Sequence, residues 1–334
     1  MILIGDKKQF KANLHSHSSL SDGDFSPEEL KKLYKEKGYS ILAITDHDCP
    51  YSHSDLSEDD FLMLTGYEAT IRVDPDNKYD IYAPEIHINL FAKNADNETL
   101  IDFAPVHCKH LLKNPEHFNA VPQVATGEDA RIYSLEYVNK FVETARKAGY
   151  LCSHNHPSWS LEEDETVYKY RGFFSMEIRN YISREYNAEL YEKLLRRGTR
   201  IFCHGSDDNH NKSPLGTRYS DSFGAFTYIL ADKLDYPSVI NALECGDFYA
   251  SQGPEIKELR IEGDKAILKT SPSDKIIMRF GAKHFGLLYD ESGEGLTEAE
   301  FQIPKDAPFV RFTLWDKDGN SADTRGYFRD EFSV

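Results

Sequence analysis

The hydrophobic pattern near the start of the chain predicts a strand, a helix and a second, fully buried strand. Apolar side chains alternate along 8–16, which is the pattern of a half-buried strand. Ser26 and Pro27 are typical of a helix start, and apolar residues at helical spacing continue to Gly38. The almost unbroken apolar run 39–45 is typical of a strand covered on both faces, as in parallel sheets. Together these segments predict one βαβ unit.

The same two patterns recur as far as residue 247. Amphipathic runs predict helices at 134–147, 185–196 and 237–244. Apolar runs predict strands at 61–72, 86–92, 150–154, 173–179, 199–205 and 223–230. The polar segment from about 94 to 130 fits neither pattern, and we interpret it as an insertion or lid with some helix. We therefore expect an α/β domain over 1–247 that carries this insertion.

Beyond residue 247 the pattern changes to short alternating runs separated by turns. Gly263-Asp264 and Asp318-Gly319 lie between such runs and are typical of hairpin turns. Residues 248–334 are therefore predicted to form a small β-sandwich domain.

The composition limits the classes of protein to consider. The 334 residues carry a formal charge of −17, which disfavours long nucleic acids, although bound metals would reverse the field locally for a small anionic substrate. The five cysteines are widely spaced without a CxxC motif, which argues against a disulfide framework and a structural zinc finger. No apolar run is long enough to span a membrane and no signal peptide is evident, so we expect a cytoplasmic protein with no membrane partner.

Histidines and carboxylates gather at the ends of the predicted strands. The alternation in the segment HSH at 15–17 puts both imidazoles on one side of a strand, and TDHD at 45–48 ends the buried strand. Because the carboxyl ends of parallel strands share one edge of a sheet, we expect such groups to converge. Imidazoles and carboxylates without thiolates suit Mn²⁺, Fe²⁺ or Zn²⁺. The nine candidate metal ligands are His15, His17, Asp22, His47, Glu68, His87, His156, Asp208 and His210.

Two of these positions have neighbours that compete for the role. In the segment SHNHP at 153–157, His154 and His156 both follow the predicted strand, and spacing does not decide between them. In SDDNH at 206–210, Asp208 and His210 have the alternate-residue spacing, whereas Asp207 would either replace Asp208 or hydrogen-bond a ligand histidine. Both choices therefore stay open.

These motifs, in this order, resemble the polymerase-and-histidinol-phosphatase (PHP) family of metal-dependent phosphoesterases across roughly residues 9–247. The segments GYEA, IHINLFA, EIRN and FYASQGPEI further resemble the CehA/McbA-like branch, which carries a C-terminal β domain. The resemblance implies a distorted (β/α)7 barrel of the TIM type. It also favours His156 over His154, because the histidine of the family directly precedes a proline.

The resemblance implies two to three divalent metal ions (Mn, Fe or Zn) and assigns ligands to each of them. His15, His17, Glu68 and Asp208 would hold the first ion. Glu68 would bridge to a second ion, completed by His87 and His156, and a third would be held by Asp22, His47 and His210.

The predicted function is hydrolysis of small phosphate mono- or diesters by a hydroxide that bridges the metals, with a small anionic phosphoester as the partner. Asp46 and Asp48 are candidate proton carriers or hydrogen-bond partners of the ligands. Arg179 and Arg184 are candidate clamps for the substrate phosphate, with surface salt bridges as the alternative. Two other functions stay open: the same metals would also hydrolyse carboxylic esters, amides or carbamates, and a non-enzymatic protein would bind its ligand through the β-sandwich.

Overall fold

The computed structural model describes residues 1–74, 80–128 and 131–332. Helices and strands alternate through the N-terminal part of the chain, and strands predominate after it. The helices are α1 (Pro27–Glu36), α2 (Pro115–Ala120), α3 (Leu135–Lys147), α4 (Asp164–Val167), α5 (Ala188–Arg196), α6 (Tyr236–Cys245) and α7 (Arg329–Phe332). The strands up to residue 251 are β1 (Ile2–Ile4), β2 (Lys8–Asn13), β3 (Ile41–Ile44), β4 (Leu62–Arg72), β5 (Glu85–Ala92), β6 (Leu100–Ile101), β7 (Gln123–Val124), β8 (Tyr150–His154), β9 (Phe173–Asn180), β10 (Glu185–Tyr186), β11 (Phe202–Ser206), β12 (Phe226–Ala231) and β13 (Phe248–Ser251). The later strands are β14 (Ile256–Glu262), β15 (Lys265–Ser273), β16 (Lys275–Arg279), β17 (Gly286–Tyr289), β18 (Leu296–Gln302), β19 (Phe309–Trp315), β20 (Ser321–Thr324) and β21 (Tyr327–Phe328).

Local sequence signals explain where the predicted helices begin. The Ser26 hydroxyl accepts the N–H of Glu29, and the Glu29 carboxylate accepts the N–H of Ser26, so a reciprocal cap starts α1. Ser134 caps α3 in the same way through one N–H. The predicted helix start at residue 185 is wrong, because residues 185 and 186 pair with β9 as the short strand β10, and α5 begins only at Ala188.

One mixed sheet of 15 strands runs through most of the molecule. Its path is β10-β9-β8-β5-β4-β3-β2-β12-β13-β20-β19-β16-β17, with β11 beside β9 and β21 beside β19. Strands β2, β3 and β4 are parallel to each other, as are β8, β9 and β11. Strands β5 and β12 are antiparallel to both of their neighbours. Because β5 is antiparallel to both β4 and β8, the two parallel groups run in the same direction. Their carboxyl ends therefore lie at one edge of the sheet.

The expected closed barrel of the TIM type is not observed. The sheet curls until β11 lies beside β12, but no strand ladder joins these two strands in the part of the chain that the structure describes. The Thr227 hydroxyl spans the gap instead, donating to the carbonyl of Gly205 at 2.9 Å and accepting its N–H at 3.2 Å. The antiparallel strands β5 and β12 also depart from the all-parallel order of a TIM barrel. The fold is therefore a mixed α/β ring that stays open on one side.

The C-terminal residues form two sheet layers around an apolar core, which agrees with the predicted β-sandwich. Strands β14, β15 and β18 join the N-terminal β1 in a four-stranded antiparallel sheet. Strands β16, β17, β19 and β20 continue the large sheet through the pairing of β13 with β20. Gly263 and Gly319 adopt positive φ values of 60° and 84° at the two predicted hairpin turns. The core between the layers includes Leu259, Leu268, Phe301, Phe312 and Leu314.

The predicted insertion packs against the ring, and its described residues include the short helix α2, a 3-10 turn at Leu111–Lys113 and the two-stranded pair β6–β7. Residues 129 and 130, at its predicted end, lie outside the described residues. Directly after them, the guanidinium of Arg131 donates to Asp48 at 2.6 Å and to the carbonyls of Ile101 and Asp102 at 2.7 Å. One buried arginine thus ties both ends of the insertion to the ring. Among the described helices, none is both long and apolar enough to cross a membrane.

Candidate metal centre

The nine predicted ligands meet at the edge where the parallel strands end. His15 and His17 follow β2, His47 follows β3, His156 follows β8, and Asp208 follows β11. Glu68 and His87 lie inside the neighbouring strands β4 and β5. Asp22 and His210 come from the loops that cover this edge, and their side chains lie 3.5 Å apart.

Four side chains surround the deepest point of the site. The Nε2 atoms of His15 and His17 lie 3.2 Å apart, and Oδ1 of Asp208 lies 3.2 Å from the first and 3.1 Å from the second. Glu68 completes the group, with Oε1 at 3.1 Å from His15 and Oε2 at 3.5 Å from His17. Bonds of about 2.0–2.2 Å to one ion would place neighbouring ligand atoms about 3.0–3.5 Å apart. The spacing is therefore that of donors around a shared cation.

Glu68 is the centre of the cluster, because it also faces three further imidazoles. Its Oε1 lies 3.1 Å from Nδ1 of His87 and 3.5 Å from Nε2 of His156. Its Oε2 lies 2.9 Å from Nδ1 of His47. A carboxylate with donors on both oxygens is suited to bridge two ions.

A third group lies nearer to solvent and is built around Asp22, whose side chain is 42% exposed. Its carboxylate lies 3.5 Å from Nε2 of His210, 3.6 Å from Nε2 of His47 and 3.8 Å from Nδ1 of His17. His17 and His47 thus face two groups at once, one through each ring nitrogen, whereas the resemblance assigned each of them to one ion. The three groups with mutually close ligand atoms are His17, Asp22, His47 and His210; His15, His17 and Asp208; and His47, Glu68 and His87.

An unsatisfied polar atom shows that this donor set fits divalent cations. Nδ1 of His17 is buried and makes no hydrogen bond with the described residues, and the Asp22 carboxylate lies 3.8 Å from it. Buried polar atoms without partners are costly and rare in folded proteins. A metal ion would satisfy this nitrogen, and the set has no thiolate that would favour softer metals.

The pKa values of the cluster also fit a site for cations. Burial opposes ionisation of Glu68, but His87, His15 and His47 hold its pKa well below the usual range. Burial likewise opposes protonation of His87, yet Glu68 and Glu85 raise its pKa to about 10. His17 is the exception, because burial and the neighbouring His210 and His47 lower its pKa to about 3. The carboxylates thus raise the pKa values of His15, His47 and His87 where cations would otherwise stand, and metal binding would release protons from these rings.

Three residues that the sequence analysis did not select hold the ligands in place. Glu177 accepts a hydrogen bond from Nδ1 of His15 at 2.8 Å and from the N–H of His156 at 2.9 Å. Asn155 donates to Glu68 at 2.8 Å, and Asn180 donates to Asp208 at 3.2 Å. An acid inside the apolar run of β9 was the signal for Glu177, since a buried carboxylate needs partners.

Neither predicted proton carrier is directed at the deep cluster. Asp46 is buried, and it accepts the N–H and hydroxyl of Ser18 at 2.7 and 2.6 Å and the hydroxyl of Ser21, so it shapes the loop after His17. Asp48 forms the buried ion pair with Arg131. Both acids act on the loops that carry the ligands.

The guanidinium groups of the two predicted phosphate clamps contact residues other than the metal ligands. The guanidinium of Arg179 lies 3.3 Å from the ring centre of Tyr186 and donates to Ser321 of the C-terminal region. Arg184 packs over Tyr181 and donates to the carbonyl of Ser220 at 3.0 Å. Each guanidinium thus stacks on an aromatic ring and donates a hydrogen bond, and neither lines the cavities described below.

The geometry distinguishes the two pairs of neighbours that spacing left open. Asp208 faces the metal ligands, whereas Asp207 accepts N–H groups from Phe223, Gly224 and Ala225 and holds that loop instead of a histidine. His156 points at Glu68, whereas His154 bonds Glu162 at 2.5 Å behind the site.

Two adjoining cavities open onto the ligands. The first has a volume of about 270 Å³ and is lined by six of the nine ligands together with Trp159, Ile182 and Ser183. The second has a volume of about 290 Å³ and extends from Asp22 and His47 towards the insertion. Trp159 stands in the wall between them. The centre of its ring lies 5.0 Å from the centre of the His87 ring.

Comparison with known proteins finds a similarity to the PHP domain in the part of the chain that carries the first ligands. Residues 13–149 match the family model of the PHP domain, which includes six of the nine ligands. A segment of 39 residues, 12% of the chain, is 51% identical to the DNA polymerase/3'-5' exonuclease PolX of Bacillus subtilis (strain 168). That match spans 7% of the relative's length. These matches name the PHP domain but not the CehA/McbA-like branch, which stays a prediction.

Solved structures of similar arrangement include a two-domain protein of Bacteroides vulgatus, described as containing a predicted PHP-like metal-dependent phosphoesterase. It has a TM-score of 0.48 and 14% identity, over 97% of this chain and 88% of that one. An amidohydrolase of Chromobacterium violaceum, with bound sulfate and no metal, has a TM-score of 0.38 and 14% identity, over 60% of this chain and 87% of that one.

Proposed function

We propose that this protein is a metal-dependent hydrolase of small phosphate mono- or diesters that works with two to three divalent ions. The observation that carries the proposal is the convergence of nine imidazole and carboxylate side chains at one edge of the sheet, where six of them line the first cavity. The match of residues 13–149 to the PHP domain supports it.

Ions bound here would supply positive charge for the phosphoryl oxygens and activate water as the nucleophile. The side chains around the site contribute by holding the ligands in position. Glu177, Asn155 and Asn180 fix the orientation of His15, Glu68 and Asp208, so the donors need no rearrangement when an ester binds.

The first cavity fits a small ester. Its volume of about 270 Å³ is at the lower end of small-molecule sites. Its lining residues, all within the described chain, include no lysine or arginine, so the ions themselves would balance the charge of a phosphate. Trp159, which is 48% exposed, forms an apolar rim over which the organic part of a substrate would lie.

The test is turnover by protein reconstituted with Mn²⁺, with Zn²⁺ and Fe²⁺ in parallel. We expect release of p-nitrophenol from p-nitrophenyl phosphate or bis-p-nitrophenyl phosphate, and its loss in excess chelator. Faster hydrolysis of p-nitrophenyl acetate than of either phosphate would favour the ester and amide function instead. No turnover of any ester by fully loaded protein would favour a binding protein.

Two neighbouring aspartates provide a matched pair of variants. Asp22→Asn alters the exposed metal group, while Asp24→Asn removes a surface ion pair with Lys212. Groups that only orient ligands are worth about 10–100-fold in metal affinity or activity, so we expect at least about a tenfold loss for Asp22→Asn. Equal activity of the two variants would contradict the assignment of Asp22.

A further inference from the structure

The second cavity adjoins the proposed reaction site and is walled by the insertion. Trp159 belongs to both cavities, so a substrate held in the first would extend past this side chain into the second. The opposite wall of the second cavity carries His107 and Lys109, which belong to the segment that no strand or helix pattern predicted.

The charges in this wall leave one cation without a partner. Asp48 is paired with Arg131 at 2.6 Å, and Glu85 forms an ion pair with Arg72. Lys109 is exposed and makes no ion pair or hydrogen bond with any residue that the structure describes. Asp22, the third carboxylate of this cavity, faces the histidines of the exposed metal group. The Lys109 ammonium is therefore available to an incoming anion.

His107 supplies an independent observation. The residue is only 4% exposed and lines the cavity, yet neither of its ring nitrogens has a hydrogen-bond partner among the described residues. Burial lowers its pKa to about 4, so the ring is neutral at physiological pH and presents one N–H donor. Buried donors without partners are rare, and a bound ligand is one of the groups that satisfies them.

We propose that His107 and Lys109 bind a second anionic group, a carboxylate or a phosphate, on the molecule whose ester is cleaved in the first cavity. The substrate class is therefore a small phosphate ester that carries a further anion, a narrower class than the proposed function on which this inference rests. The His107 N–H would donate to one oxygen of that group, and the Lys109 ammonium would balance its charge.

The experiment compares substrates that differ only in the second anion, using the metal-loaded protein. Phenyl phosphate is paired with 4-carboxyphenyl phosphate, and fructose 6-phosphate with fructose 1,6-bisphosphate, so that the two pairs distinguish carboxylate from phosphate. We expect kcat/KM to favour the doubly anionic member of at least one pair, and Lys109→Ala to lower that preference about tenfold, as for one charge-assisted hydrogen bond.

His107→Phe keeps an aromatic ring and removes both nitrogens. It should lower the ratio of kcat/KM for the doubly anionic substrate to kcat/KM for the singly anionic one. Lys140→Ala is the control, because Lys140 pairs with Glu128 on the surface of α3 and lines neither cavity. A ratio near one in the unaltered protein, or a ratio that Lys109→Ala and His107→Phe leave unchanged, would overturn the inference.

A binding measurement separates failure of this inference from failure of the proposed function. If the metal-loaded protein hydrolyses none of these esters, calorimetry with phenylphosphonate and 4-carboxyphenylphosphonate tests the second cavity alone. Weaker binding of only the carboxylated compound by Lys109→Ala would support the second anion site without hydrolysis. Equal effects on both compounds, or no effect on either, would refute it.

Discussion

Nδ1 of His15 lies 2.8 Å from Oε1 of Glu177, and both side chains are fully buried. The carboxylate fixes the ring so that Nε2 faces Glu68 and Asp208. Burial opposes ionisation of Glu177, but His15 and His156 lower its pKa to about 2, so it stays charged. This pairing makes Glu177 a positioning residue for the deepest ligand.

We expect Glu177→Gln to weaken metal binding by about 10–100-fold, because the amide no longer orients and polarises the imidazole as a carboxylate does. Titration of metal-free protein with Mn²⁺ measures the change, and circular dichroism verifies the fold. Glu189→Gln is the control, since Glu189 lies on the surface of α5. Unchanged affinity in Glu177→Gln would show that the carboxylate is dispensable to the site.

The adjacent acids Asp207 and Asp208 should respond differently to the same substitution. Asp208→Asn removes a charged donor from the deep group, so we expect a lower metal content after gel filtration. Asp207→Asn should keep its metal but lose about 1–3 kcal/mol of stability, because Asp207 accepts three backbone N–H groups. Loss of metal from Asp207→Asn alone would reverse the two roles.

The buried pair of Arg131 and Asp48 should contribute strongly to stability. Arg131→Met leaves the Asp48 carboxylate buried without its cation, and we expect a loss of about 3–5 kcal/mol in urea unfolding of metal-loaded protein. Adding Asp48→Asn to Arg131→Met should restore part of the lost stability, because the buried charge without a partner is then absent. Arg218→Met, on an exposed side chain, serves as the control. A double variant no more stable than Arg131→Met would argue against this pair as the cause.

Removal of metal should make stability depend on pH above neutrality. In the metal-free protein the pKa of His87 is about 10, above its usual value of about 6.5. The stabilisation from protonated His87 is complete below about pH 6.5 and is lost as pH rises through about 10. We therefore expect the Tm of metal-free protein to fall more between pH 7 and pH 10 than the Tm of Mn²⁺-loaded protein. An equal fall in Tm for the metal-free and the Mn²⁺-loaded protein would contradict this prediction.

The sequence predicted the ligands better than it predicted their surroundings. His15 and His17 were predicted from the alternation of side chains along a strand, although β2 ends at Asn13 and the two histidines follow it. His87 was predictable because a polar group inside an apolar run needs a partner. Glu177 was missed because its partner is 162 residues away in the chain. Periodicity describes one element at a time and carries no information about such distant pairs.

The orientation of long side chains was also beyond the sequence. Arg179 lies near the end of β9, beside Asn180 of the site, but its guanidinium contacts the aromatic ring of Tyr186 and the hydroxyl of Ser321. The sequence also could not show that the ring stays open. The apolar runs that become β5 and β12 would have the same pattern in a parallel and in an antiparallel strand. Both outcomes depend on neighbours that come together only in the folded chain.

The pairing of Ile2 with Arg260 sets an order on assembly of the chain during its synthesis. Strand β1 is made before the whole metal-binding region, and its partner β14 only after it. The apolar segment around Ile4 therefore stays without its cover until β14 has been made. Slow translation of the residues between these two strands would prolong this interval and increase the demand for chaperones.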